Sequence, residues 1–205
     1  LGLALESLYK SLELNPNSNN TLLNLGGIFH ELGDLNKALI YTLKSLEVEP
    51  NSYIAQMNLG SIYRDLGDDN NALKSTLRSL EIEEDNPDAL LNLGEIYRGL
   101  GRINEALEST QKALQLNMQS PIILINLGSI YRDLGKIDLA ITTTHRSLEL
   151  KKDNPSAYLN LGSMYQERGN LKEARAYTQR SLELDPDNPI ALMNMGGIYQ
   201  DLGDE

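Results

Sequence analysis

Six asparagines stand 34 residues apart in this chain: Asn24, Asn58, Asn92, Asn126, Asn160 and Asn194. Three arginines, Arg64, Arg98 and Arg132, keep the same interval. A carboxamide offers two N–H donors and a carbonyl acceptor, which matches the one donor and one acceptor of a peptide unit. A guanidinium offers a fork of donors to carboxylates. This is the chemistry of holding a polypeptide rather than transforming one. Groups that transform are scarce. There is no cysteine, which excludes disulfides, thiol catalysis and thiolate metal sites. The two histidines, His30 and His145, fall on different elements with no cysteine to assist them. No glycine-rich phosphate loop is present. The expectation is therefore no metal, no cofactor and no enzyme, with any catalytic domain lying outside this chain.

Composition narrows the partners. The formal charge is −11, which argues against nucleic acid, because a phosphate backbone asks for a basic surface. No apolar run approaches the roughly 18 residues of a membrane span, so no membrane role is expected. The N-terminus lacks the basic, apolar, small-residue order of a signal peptide. Together with the missing cysteines this points to the cytoplasm. At 40% hydrophobic residues the chain can bury a core.

What positions the asparagines is a repeat. The phrase NLGSIYRDLG occurs at 58–67 and again at 126–135. Leu-Gly pairs begin at Leu25, Leu59, Leu93, Leu127 and Leu161, with Met195 in the sixth place, each 34 residues on. Phe29, Tyr63, Tyr97, Tyr131, Tyr165 and Tyr199 keep step, as do Ala38, Ala72, Ala106, Ala140 and Ala174. A single array is expected, with complete repeats at 19–52, 53–86, 87–120, 121–154 and 155–188. Residues 1–18 supply a second helix alone, and residues 189–205 a first helix alone. Ser18, Ser52, Asn86, Ser120, Asn154 and Asn188 are N-cap residues, four of them followed by Pro, which opens a helix at least cost. That first helix, A, ends at Gly33, Gly67, Gly101, Gly135, Gly169 or Gly203. Helix B starts two or three residues later. Positions 3, 7, 10, 11 and 14 of helix A form an apolar stripe. Gly at position 8 and Ala at position 20 let A and B approach. Neither helix buries its face alone, so stability must come from stacked neighbours.

Leu-Gly-x-x-Tyr, then Gly, then Ala, at a 34-residue period, resembles the tetratricopeptide repeat. The resemblance implies an all-α fold: a right-handed superhelical solenoid of antiparallel helix pairs, with the A helices lining the concave side. Departures exist. Thr42, Thr76, Thr110, Thr144 and Thr178 replace the usual aromatic at position 24, and Ser45, Ser79, Ser147 and Ser181 recur at position 27. These hydroxyls are expected to bond back to carbonyls one turn earlier. Arg168 replaces a regular Leu at position 14.

Positions 2, 6, 9 and 13 share the stripe opposite the apolar one. Position 6 is always Asn, and position 9 is small except at Glu95. Packed helices sit roughly 8–10 Å apart and an extended chain advances about 3.3–3.6 Å per residue. One asparagine could therefore grip a threaded peptide at about every third residue. The row is similar to the asparagine ladder in the repeat domain of O-linked N-acetylglucosamine transferase. That similarity implies that the six asparagines hold extended polypeptide, and it admits a substrate-targeting region of a larger glycosyltransferase-like enzyme. The alternative is that each asparagine bonds within its helix or to the adjoining A helix and orients the stack. Arg64, Arg98 and Arg132 are candidate contacts at position 12, with paired acids at position 13 as the plainer reading; Gly99 deprives Arg98 of such an acid. Position 5 is apolar throughout, where the family's clamp for acidic tails needs Lys. His145 is placed on the outer face of helix B. A last expectation is head-to-tail self-association through residues 1–14 and 189–202, which would extend the solenoid.

Overall fold

The computed structural model describes residues 2–203. Twelve helices follow one another: α1 (Gly2–Leu14), α2 (Asn19–Glu31), α3 (Leu35–Val48), α4 (Tyr53–Asp65), α5 (Asp69–Ile82), α6 (Pro87–Gly99), α7 (Ile103–Leu116), α8 (Pro121–Asp133), α9 (Ile137–Leu150), α10 (Pro155–Glu167), α11 (Leu171–Leu184) and α12 (Pro189–Leu202). Among the described residues there is no strand. The architecture is an all-α helical repeat solenoid. The even-numbered helices are A helices and the odd-numbered ones B helices. They group into two compact units, one up to Arg102 and one from Ile103. In the first unit α2 touches α4 and α4 touches α6; in the second α8 touches α10 and α10 touches α12. A helices therefore neighbour one another within each unit.

The helix ends follow from local chemistry. Ser52, Asn86, Ser120, Asn154 and Asn188 each accept a first-turn N–H with the side chain, as at Asn86 Oδ1 from Ala89 N, 2.9 Å. Such a cap is worth about 1 kcal/mol. Ser18 does not cap α2; its hydroxyl pairs with Thr21 Oγ1 at 2.8 Å. The A helices stop at glycines of positive φ, 77° at Gly67 for example. There Gly67 N donates to Arg64 O and Asp68 N to Tyr63 O, the paired bonds of a Schellman turn. Asp34 and Asp68 then cap the following B helices through Lys37 N and Asn71 N, each 3.1 Å.

Core packing explains the small residues. Ala38, Ala72, Ala106, Ala140 and Ala174 are fully buried. One core cluster joins Leu25, Phe29, Ala38 and Ile62; another joins Ala140, Ile141, Leu161 and Met164. Glycines at position 8 face the threonines at position 24. A methyl on Gly26 would lie 2.5 Å from Thr42 Oγ1, and methyls on Gly60, Gly128 and Gly162 would overlap Thr76, Thr144 and Thr178.

This contact corrects the expectation for the hydroxyl rows. Only Thr144 bonds one turn back, to Ala140 O at 2.9 Å. The buried hydroxyls of Thr42, Thr76, Thr110 and Thr178 have no hydrogen-bond partner among the described residues. Thr42, Thr76, Thr144 and Thr178 all hold Oγ1 close against the position 8 glycine opposite, a closeness that a weak C–H···O contact rationalises. Of the serines, Ser147 bonds back within its helix, to Thr144 O. Ser79 and Ser181 instead donate across to Tyr53 O and Pro155 O, each 2.9 Å, and Ser45 reaches Asn19 Oδ1. Those three bonds fasten the end of a B helix to the start of the A helix beside it, where an antiparallel pair brings a second carbonyl lone pair within reach.

Candidate functional site

The apolar stripe of each A helix is taken by the core, so the opposite stripe is left to face outward, and the six asparagines lie on it. The fold divides them into three kinds. Asn92 Nδ2 donates to Ser61 Oγ at 2.7 Å, Asn160 to Ser129 Oγ at 3.2 Å and Asn194 to Ser163 Oγ at 2.8 Å. Each bond joins position 6 of one A helix to position 9 of the A helix before it. Asn126 donates to Ile122 O of its own helix at 3.2 Å. Asn24 and Asn58 form no side-chain hydrogen bond among the described residues. Gly27 stands where Ser61, Ser129 and Ser163 stand, so α2 offers Asn58 no hydroxyl.

Asn24 and Asn58 line an open cleft of about 800 Å³ in the first unit. Its floor and walls include Leu8, Leu23, Ile28 and Ile54, and Glu31 is the only ionisable group among its described lining residues. A carboxamide pair over an apolar floor can satisfy main-chain N–H and C=O groups while the floor takes an apolar side chain. The signal for this selection was present in the sequence as the identity of position 9, and was read there only as smallness.

The residues at positions 12 and 13 lace neighbouring A helices together. His30 Nε2 and Asp65 Oδ2 are 2.8 Å apart, Arg132 Nε donates to Glu167 Oε1 at 2.7 Å, and Gln166 Nε2 donates to Asp201 Oδ2 at 2.7 Å. Arg64 binds both Asp65 and Glu95. Arg64 and Arg132 therefore have their charge compensated by acids of the next repeat, while Arg98 is half-buried and makes a polar interaction of its own. Such partly exposed pairs are worth about 0.2–1 kcal/mol each; their consistent register contributes alignment.

His145 is not on an outer face. It packs edge-on beside the stacked pair Tyr165 and Tyr177, with ring centroids 6.5 and 5.6 Å away and Nε2 3.5 Å from each hydroxyl. The helix wheel of α9 alone could not reveal this, because both covering rings come from the next repeat. Burial there pushes the imidazole below its ordinary value, with Glu149 opposing weakly. No group of three or more metal-binding side chains occurs among the described residues. Asn19, in an Asn-Asn-Thr sequence of the glycosylation-acceptor form, binds Glu49 and Ser45. None of the described helices is long and apolar enough to cross a membrane.

Comparison with known proteins places the fold. Tetratricopeptide repeat family models match residues 20–52, 87–117 and 119–187, and a TPR repeat model matches 60–101. No curated protein sequence matches the chain. Among solved structures, a chain of the APC/C hetero-tetramer Cut9–Hcn1 superposes with a TM-score of 0.90 at 19% identity, over 97% of this chain. This chain spans 40% of that one. TTC0263, a thermophilic TPR protein of Thermus thermophilus, gives 0.80 at 24% identity, covering 89% of this chain and 100% of its own. YrrB, a TPR protein with an unusual peptide-binding site, gives 0.60 at 22% identity, covering 91% and 96%.

Proposed function

The chain belongs to the tetratricopeptide repeat family, whose fold is generally a non-catalytic protein-interaction module, and from that premise we propose that it binds an extended segment of a partner polypeptide on its A-helix face. Capture centres on the cleft of the first unit. Asn24 and Asn58 hold the main chain of the segment, and Leu23, Ile28 and Ile54 take an apolar side chain. Glu31 favours a basic residue beside it. The observation that carries this reading is that these two carboxamides line an open cleft without a protein partner, whereas Asn92, Asn160 and Asn194 are engaged with serines. A peptide-binding site is named for YrrB, a neighbour in fold.

The test uses a degenerate pool of short unstructured peptides and a second pool N-methylated on the backbone. The wild-type chain retains the first pool and not the second, because N-methylation removes the donors that the carboxamide oxygens accept. Asn24→Ala with Asn58→Ala loses retention. Equal retention of both pools, or retention by the double variant, would overturn the assignment.

A further inference from the structure

The repeats differ in what covers the aromatic ring at position 11. Tyr41 stacks on Phe29 with centroids 5.5 Å apart and planes 7° apart. Tyr177 stacks on Tyr165 at 5.2 Å and 6°. Tyr41 and Tyr177 hold the same place in α3 and α11, and in α9 that place is Thr143. Tyr131, the ring beneath it, has no ring or cation over it among the described residues. A cleft of about 380 Å³ opens there, lined by Leu114, Met118, Leu127 and Tyr131, with Gln111 and Arg146 at its polar side. Met118 is 65% exposed.

The arginine departs from its equivalents too. Arg78 and Arg180 are each held by a glutamate three residues on, Glu81 at 2.8 Å and Glu183 at 2.7 Å. Each also reaches the turn before its repeat, at Asn51 or Asp153. Among the described residues, Arg146 is not held by Glu149, and it meets no side chain in the turn before its repeat. Gln119 occupies the turn position, and Arg146 Nη2 donates instead to Met118 O at 3.4 Å. It has no carboxylate partner among the described residues, in a protein of net charge −11.

We infer that this cleft, lined by α7, α8 and α9, is a second binding site that takes an aromatic side chain flanked by a carboxylate from a partner polypeptide. The ring occupies the seat that Tyr41 and Tyr177 fill in their own repeats and stacks on Tyr131. The carboxylate pairs with Arg146, and a phenol hydroxyl lies within the polar side formed with Gln111. Offset stacking strengthens such a contact by about two- to tenfold beyond burial.

The probes are acetyl-Asp-Tyr-Glu-amide and acetyl-Asp-Ala-Glu-amide, titrated to millimolar concentration into the isotopically labelled full chain. The tyrosine peptide shifts amide resonances within residues 111–146, and the alanine peptide binds at least about tenfold more weakly. Thr143→Tyr fills the seat from within, raises the melting temperature and removes the shifts. Arg146→Gln, an exposed change, weakens binding by about fivefold or more. Equal response to both peptides, no response, or binding retained in Thr143→Tyr would overturn the site. Shifts that depend on protein concentration without peptide would assign the seat to a second copy and overturn the choice of partner.

Discussion

Removing Asn160 should cost stability, whereas removing Asn58 should cost binding. Asn160 Nδ2 donates to Ser129 Oγ across a part-buried gap between α8 and α10. A bond of this kind contributes about 0.5–1.5 kcal/mol. Its loss in Asn160→Ala should lower the melting temperature by roughly 2–4 °C for a chain of this size. Ser129→Ala should cost at least as much, because it removes that bond together with the Ser129 donation to Ile125 O. The double variant should be no worse than Ser129→Ala alone, giving a coupling of about 0.5–1 kcal/mol in a cycle measured by urea denaturation. Asn58→Ala loses no protein hydrogen bond and gains helix propensity, so it should leave stability unchanged or raise it by a few tenths of a kcal/mol. It should nevertheless reduce retention of the unmethylated peptide pool. The reasoning fails if Asn58→Ala destabilises as much as Asn160→Ala, or if Asn160→Ala impairs retention as much as Asn58→Ala.

Gly60→Ala drives a methyl into Thr76 Oγ1 and to 3.3 Å from Ala72 O, so it should destabilise by about 1–3 kcal/mol despite the better helix former. Thr76→Ala removes the obstructing, unpartnered hydroxyl and should restore the double variant to at least wild-type stability; a double variant as weak as Gly60→Ala would refute the packing account. His145 is held below its ordinary value by burial beside the stacked Tyr165 and Tyr177, with the Glu149 charge opposing; Glu173 and Tyr158 are titratable groups facing Tyr177. The unfolded chain then binds its proton first, so the stability contributed by neutral His145 is full above about pH 6.5 and is lost as pH falls below it. Thermal melts of wild type and His145→Phe should separate less at pH 5 than at pH 7.5, and a gap that stays constant would sink the idea.

The repeat, the helix boundaries and the buried alanines were legible because each is a local signal repeated in register. Pro after an N-cap, Gly at the A-helix end and a stripe at helical spacing need no knowledge of neighbours. The parts that were not legible all depend on what lies across a gap. Thr76 was expected to bond along its own helix, but its hydroxyl is buried against Gly60 of the helix opposite without a partner among the described residues. His145 was expected outside, but the stacked pair Tyr165 and Tyr177 arrives from the next repeat and covers one side of it. Arg132 and Glu167 were each read against neighbours in their own helix and instead meet across 35 residues. The asparagines were read as one row, yet the residue at position 9 of the preceding A helix differs among repeats and sets what each carboxamide does.

That last dependence can be reversed by design. Asn58 is left without a hydrogen-bond partner among the described residues because Gly27 carries no hydroxyl, and a Cβ added at Gly27 meets nothing within 4 Å. Gly27→Ser should therefore fit without strain and place a hydroxyl where Ser61 serves Asn92. The new bond adds about 0.5–1.5 kcal/mol, and replacing a mid-helix glycine adds about 0.5 kcal/mol more. The variant should melt higher and hold the peptide pool less well, because one donor of Asn58 is now engaged and its carboxamide is turned along the stack. Asn58→Ala in the Gly27→Ser background should remove the gain from the bond and keep the gain from propensity, which separates the two terms. The converse, Ser129→Gly, should free Asn160 at a cost in stability. A Gly27→Ser chain that is more stable yet retains peptide as well as the parent would mean that the cleft binds without Asn58, and would move the site elsewhere on the A-helix face.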